Sequence, residues 1–299
     1  MNQKKFFSVN VSKYVSTYNF DVYRPASINQ PKSESVMFIT DKFIKLSECL
    51  LQCEKCLVFW PENVEVPENI SKLHAICCVE NPRREFCRFF QDNHITHLPE
   101  PEKFKVINGA YIADGAKIGY NCRILPCTYI GSEVEIGDNV YIGAGTKIVG
   151  EVHIGNNVII RENTVIGADG LGVERDESGV GIAMPQFGGI VIEDDVQIGA
   201  MCVIGRGAID DTIIKRGVKI DCDCFISHNT YVDEDAFIVG ETIMFGRSSV
   251  GKQAYVSGNA TIMDGKHIGD RALVGMGSVV TKNVPDEAIV MGNPAKKLW

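Results

Sequence analysis

From Ile112 onward an apolar residue returns at every sixth position, and few folds can accept that period. Ile112, Ile118, Ile124, Ile130, Ile136, Ile142, Ile148, Ile154, Ile160 and Ile166 form one unbroken series. The series resumes at Ile192, Ile198 and Ile204, and again from Ile214 through Ile220, Ile226, Val232, Ile238 and Met244 to Val280. A glycine often follows the apolar residue, as at Gly119, Gly137, Gly143 and Gly199, and a small residue sits four places after it, as at Ala116, Thr146, Ala254 and Ser278. Six matches neither the 3.6 of an α-helix nor the 2 of an extended strand. It fits a coil of short flat faces, each sending one side chain inward, with glycine easing the corner. Cys122, Cys202 and Cys224 fall in the small inward slot. They read as core residues rather than as reactive thiols.

The rhythm is absent before residue 104. There "SVMFI", "CLVFW" and "HAICCVE" read as buried strands, and "NPRREFCRFFQDN" as a helix opened by a proline in its first turn. Two prolines and several charges in "HLPEPEKF" mark a linker. Two insertions break the rhythm, the glycine-rich residues 168–189 and the "RGAIDDT" of residues 206–212. Departures from a regular solenoid are where function tends to sit. The net charge of -8 argues against a general nucleic-acid surface. No apolar run reaches the roughly 18 residues needed to cross a bilayer, and the first residues carry no secretory signal pattern, so a cytoplasmic protein is expected. Cys49, Cys53 and Cys56 have the spacing of one helix face. Cys77 and Cys78 are adjacent, so no second CxxC completes a zinc ribbon, and no metal site is expected.

The rhythm resembles the hexapeptide-repeat family of left-handed β-helices. That resemblance implies three faces per 18-residue turn, with turns stacked at the strand spacing of about 4.8 Å. The expected fold is mainly β, a left-handed parallel β-helix over residues 104–285. A small N-terminal α/β domain over residues 1–100 precedes it, and residues 286–299 form a C-terminal tail. His228 lies two residues after the inward Ile226, so its side chain should not point into the core. One turn of 18 puts Gly246 directly above it, and two turns put Asp264 there. The γ-type carbonic anhydrases, which share the repeat, need two histidines five apart. His153, His228 and His267 are widely separated, so that zinc site is not expected.

Within the repeat class, "VIGADGLG", "PQFGGIVIEDDVQIGA", "RGAIDDT", "GVKID" and "ISHN", in that order, resemble the UDP-3-O-acylglucosamine N-acyltransferase family of lipid A biosynthesis over residues 104–299. The resemblance implies a homotrimer with active sites between neighbouring β-helices. It makes His228 the general base toward a sugar amine and the Gly246 N–H an oxyanion donor. An imidazole suits proton removal near neutral pH, and a fixed N–H dipole suits a tetrahedral oxyanion. Asp210 and Asp211, one turn earlier, either orient the imidazole or cap a bulged turn; Asn229, Asp264 and His267 are further candidates for orientation or substrate contact. The N-terminal domain corresponds to a nucleotide-binding domain, with Phe38, Asp41 and Phe43 at the base-contacting loop.

The chain departs from the family pattern at three places. Gly205 precedes "RGA" where the family often has Asp, and Gly265 stands near a family histidine, with Lys266 and His267 just beyond. "FITDKF" replaces the loop that contacts uracil, which leaves open a nucleotide other than UDP. "MGNPAKKLW" resembles the close of coenzyme A-dependent sugar acetyltransferases, and the chain ends at Trp299 without the helical extension through which the lipid A enzyme engages acyl carrier protein. Lys282, Lys296 and Lys297 are then candidates for the donor phosphates.

The resulting expectation is an N-acyltransferase with no permanently bound cofactor. It would move an acyl group from acyl-CoA to a nucleotide-linked amino sugar for a bacterial surface glycan or lipid. The alternatives are the lipid A enzyme itself, using a 3-hydroxyacyl-acyl carrier protein, and a non-catalytic β-helix scaffold.

Overall fold

A computed structural model describes residues 4–96 and 101–297. Residues 97–100 of the expected linker and residues 298–299 of the tail, Trp299 included, lie outside the described residues. The chain divides into two compact units, Met1–Leu98 with Leu171–Phe187, and Pro99–Gly170 with Gly188–Trp299. The middle of the first insertion thus folds with the N-terminal unit rather than with the repeats that flank it.

The N-terminal unit is built on a parallel sheet in the order Arg24–Pro25, Ser35–Phe38, Leu57–Pro61, Ala75–Val79. Leu57–Pro61 has neighbours on both sides and is buried along its whole length, as suits its continuous apolar run. The helix Pro82–Asp92 begins as its sequence suggests, with Pro82 in the first turn and the Asn81 side chain accepting the Arg84 N–H. Its apolar face buries Phe86, Phe89 and Phe90. The inserted segment contributes the hairpin Val173–Arg175 and Gly181–Ala183. Glu174 pairs with Arg83 at 2.9 Å, and Phe187 stacks 5.2 Å from Phe90.

The second unit is the coil. Its strands form three parallel sheets, and in uninterrupted turns each inward residue pairs with the one 18 positions on, as Ile124 with Ile142 and Ile130 with Ile148. From Ile130 to Val280 the inward isoleucines, valines and Met244 are buried in one continuous core. Removing each from water contributes roughly 1.5–3 kcal/mol, which the stacked neighbours supply and an isolated turn cannot. Thr146, Cys202, Cys224, Ala254 and Ser278 fill the small slot, all buried. In the first turn Ile112, Ile118 and Ile124 are only partly covered, and the strand Phe104–Ile107 folds back antiparallel on Ala110–Ala113.

One corner of the coil carries a ladder in which each N–H is capped from the turn above. Tyr120 N–H donates to Asp138 at 2.7 Å, Asp138 to Asn156 at 2.8 Å, and Asn156 to Asp194 at 2.6 Å. The coil accommodates both insertions with its inward residues still paired and one local bulge between Ile166 and Ala168. Ile154 pairs directly with Ile192 across the first and Ile192 with Ile214 across the second.

Candidate functional site

The inserted segments leave and rejoin the coil around one corner. Ile204 pairs with Ile226, Ile226 with Met244, Met244 with Ile262, and Ile262 with Val280. The residues two places beyond Ile226, Met244 and Ile262 therefore form a column of His228, Gly246 and Asp264, with the Arg247 N–H donating to the His228 carbonyl and the Gly265 N–H to the Gly246 carbonyl. Successive turns are about 4.8 Å apart.

His228 is half-buried, and its ring is held edge to edge between two glycines. A Cβ on Gly246 would sit 2.5 Å from His228 Nε2, and one on Gly170 2.7 Å from its Cδ2. No larger residue fits at either position with the ring where it is. His228 Nδ1 lies 3.1 Å from the side-chain oxygen of Asn229. Two further bonds fix the orientation of that amide: its oxygen accepts the Ala208 N–H at 3.0 Å, and its nitrogen donates to the Asp210 carbonyl at 2.5 Å. An oxygen can only accept, so the proton of a neutral ring belongs on Nδ1 and the lone pair on Nε2. Nε2 has no hydrogen-bond partner among the described residues, and neither does the Gly246 N–H. At the ladder corner the equivalent N–H is capped by the turn above. Here Asp264 turns instead to the Arg247 guanidinium at 2.8 Å. A proton acceptor and an uncommitted N–H donor thus adjoin each other at one corner.

Arg206, two residues past Ile204 at the same corner, was not singled out by the sequence reasoning. Its side chain is buried. Nε donates to the Gly188 carbonyl at 2.8 Å, its backbone N–H donates to Ala168 at 2.9 Å, and Nη1 stands 4.0 Å from Asp169. It therefore ties together both ends of the first insertion and so fixes Gly170 against the imidazole. Nη2 is buried without a hydrogen-bond partner among the described residues. Burial pulls the guanidinium pKa below its ordinary value, with Asp169 opposing. The available signal was positional, since Arg206 follows the inward Ile204 by two residues, as His228 follows Ile226.

Asp211 caps the Gly189 N–H at 2.7 Å, and Asp210 holds Asn229 through its backbone carbonyl. The group bonded to His228 Nδ1 is Asn229. Gly205 packs beneath the His228 backbone, where a Cβ would lie 3.2 Å from His228 N, while a Cβ on Gly265 would meet nothing within 4 Å. His267 is on a different face, bonded to Ser249 at 2.9 Å. Lys282 is exposed, two residues past Val280. Lys296 and Lys297 are exposed on another face, in a short strand antiparallel to Ile289–Met291.

In the N-terminal unit, Phe38 packs 4.9 Å from Phe86 and Phe43 is exposed. Asp41 accepts from Asn63 at 3.3 Å and lines a recess of about 470 Å³ with Thr40, Lys42, Asn81 and Arg84. This recess lies past the carboxyl ends of the strands Ser35–Phe38 and Ala75–Val79, where open α/β sheets commonly take ligands.

Residues 133–168 match the bacterial transferase hexapeptide family (six repeats), and residues 249–282 match the hexapeptide repeat of succinyl-transferase. Among solved structures, the UDP-N-acetylglucosamine acyltransferase of Bacteroides fragilis aligns with a TM-score of 0.58 at 25% identity, over 64% of this chain and 73% of that one. The enzyme of that name from Campylobacter jejuni aligns at 0.57 with 21% identity and the same coverage, a likeness of fold alone. Fold and repeat together define a left-handed β-helix of the hexapeptide-repeat class. The UDP-3-O-acylglucosamine N-acyltransferase of Helicobacter hepaticus is 40% identical over 240 residues, covering 78% of this chain and 72% of its own. The chain belongs to the UDP-3-O-acylglucosamine N-acyltransferase family. Matches to the relatives of that name from Delftia acidovorans (36% identical) and Herminiimonas arsenicoxydans (38% identical) cover 43% and 41% of this chain, and only 38% and 35% of theirs.

Proposed function

We propose that the chain transfers an acyl group from a thioester to the amine of a UDP-linked 3-O-acylglucosamine, the lipid A-type reaction. Family membership supports this over the coenzyme A-dependent surface-glycan reaction that the sequence put first. The observation that carries the chemistry is the His228 ring, with Nδ1 on Asn229 and Nε2 unpaired beside the uncommitted Gly246 N–H. Nε2 takes a proton from the amine as it attacks the thioester carbonyl. The carbonyl oxygen gains negative charge and is stabilised by the Gly246 N–H. When the carbon–sulfur bond breaks, the imidazolium returns the proton to the leaving thiolate.

The same reading assigns the uridine nucleotide to the recess of the N-terminal unit at Asp41, with the exposed Phe43, two residues further along the chain, as a stacking surface. It takes the working molecule as a homotrimer, since a smooth coil encloses no deep pocket of its own. Lys282, exposed two residues past Val280, is the basic group assigned to the donor's phosphate.

The donor decides between the two reactions. With UDP-3-O-acylglucosamine as acceptor, a 3-hydroxyacyl group on acyl carrier protein should outpace the same group on coenzyme A at matched concentration. The opposite order would return the chain to the coenzyme A-dependent reaction.

A further inference from the structure

The N-terminal unit holds a cluster that the proposed reaction does not use. Cys53 and Cys56 frame the "CEKC" loop between the segment Asp41–Gln52 and the strand Leu57–Pro61. His74 immediately precedes the neighbouring strand Ala75–Val79, and Leu57 pairs with Ala75, so register brings Cys56 and His74 side by side. The two sulfurs are 3.7 Å apart, and both thiols are free. Together with a ring nitrogen of His74, the donor atoms lie within 4.8 Å of one another. Cys53 is 7% exposed, Cys56 and His74 not at all.

We infer that Cys53, Cys56 and His74 bind a thiophilic divalent cation of the zinc class. Two thiolates on tetrahedral zinc, with Zn–S near 2.3 Å, stand about 3.8 Å apart, close to the 3.7 Å between this pair. The histidine tautomer agrees. Nε2 lies 3.0 Å from the Leu50 carbonyl, which can only accept, so Nε2 carries the proton and the Nδ1 lone pair faces Cys56. A ring N–H given to a backbone carbonyl is the usual support of a metal-bound histidine. The long 3.3 Å bond from the Cys56 N–H is the contact Nδ1 would exchange for the metal. Charge agrees as well, because two thiolates neutralise a divalent cation and a neutral site can be buried. Three protein donors leave the fourth position to a water or small ligand. Bound there, the ion ties the end of Asp41–Gln52 to the starts of two adjacent strands of the sheet.

The test uses the full-length chain and cobalt as the probe. Titrating Co²⁺ into reduced, metal-free protein should produce thiolate-to-cobalt charge-transfer absorption that saturates near one equivalent and is displaced by zinc. Cys53→Ser/Cys56→Ser should lose the absorption, and His74→Ala should weaken binding at least tenfold. The melting temperature of the zinc-loaded chain should fall on adding a chelator. Should the variants fail to fold, the wild-type titration decides alone. Absence of charge-transfer absorption in wild type, an unchanged signal in a folded double-serine variant, or oxidation of the pair to a disulfide in place of metal binding would each overturn the assignment. None of these readouts involves acyl transfer, so the site and the proposed reaction stand or fall separately.

Discussion

At the scale of single residues, the site depends on what is missing as much as on what is present. The His228 ring occupies space that a methyl group on Gly246 or Gly170 would fill. Gly246→Ala should leave the coil folded, because the clash falls on a part-exposed ring and not on the core. It pushes Nε2 away from the Gly246 N–H, and a misplacement of about 1 Å can cost on the order of 10²-fold in rate. The loss should appear in kcat, with the acceptor's KM little changed, and steady-state kinetics on the purified variant checks it. From His228 the sequence alone led to Gly246 and Asp264, because a period of 18 converts position into stacking. It did not lead to Arg206 or to the part played by Asn229. Their bonds reach residues 168, 188, 208 and 210, which lie on the two insertions, and an insertion has no period from which to read a contact.

At the scale of elements, regularity explains both what could be read and what could not. Within each uninterrupted run between Ile130 and Val280 the inward residues follow from the six-residue count, and so do the small slots. Ile142 is fully buried between Ile124 and Ile160. Ile142→Asp places an unpaired carboxylate among apolar neighbours, at a cost of several kcal/mol. We expect no soluble folded protein at 37 °C, read by circular dichroism and light scattering, whereas Ile142→Val should cost only about 0.5–1.5 kcal/mol. The N-terminal strands and helix were equally legible from apolar runs and a proline-led start. The cysteine spacing misled. Cys49, Cys53 and Cys56 suggested one helix face, but the helical segment ends at Gln52, so Cys53 is its cap and Cys56 lies beyond it. His74 joins that pair through strand register, a relation the local sequence does not display.

At the scale of the whole molecule, the proposed reaction asks for one chemical event at one corner of the coil, with the proton passing through His228 Nε2. His228→Ala removes the acceptor and leaves the inward residues untouched, so folding, assembly and nucleotide-sugar binding should persist. The most direct measurement is the mass of the product formed from UDP-3-O-acylglucosamine and a 3-hydroxyacyl thioester. Wild-type chain should add one acyl group, as an amide stable to mild base. The folded His228→Ala variant should do so about 10²–10⁴-fold more slowly, the usual worth of a positioned general base. No amide product from wild type, or near-equal rates from the two chains, would contradict the account.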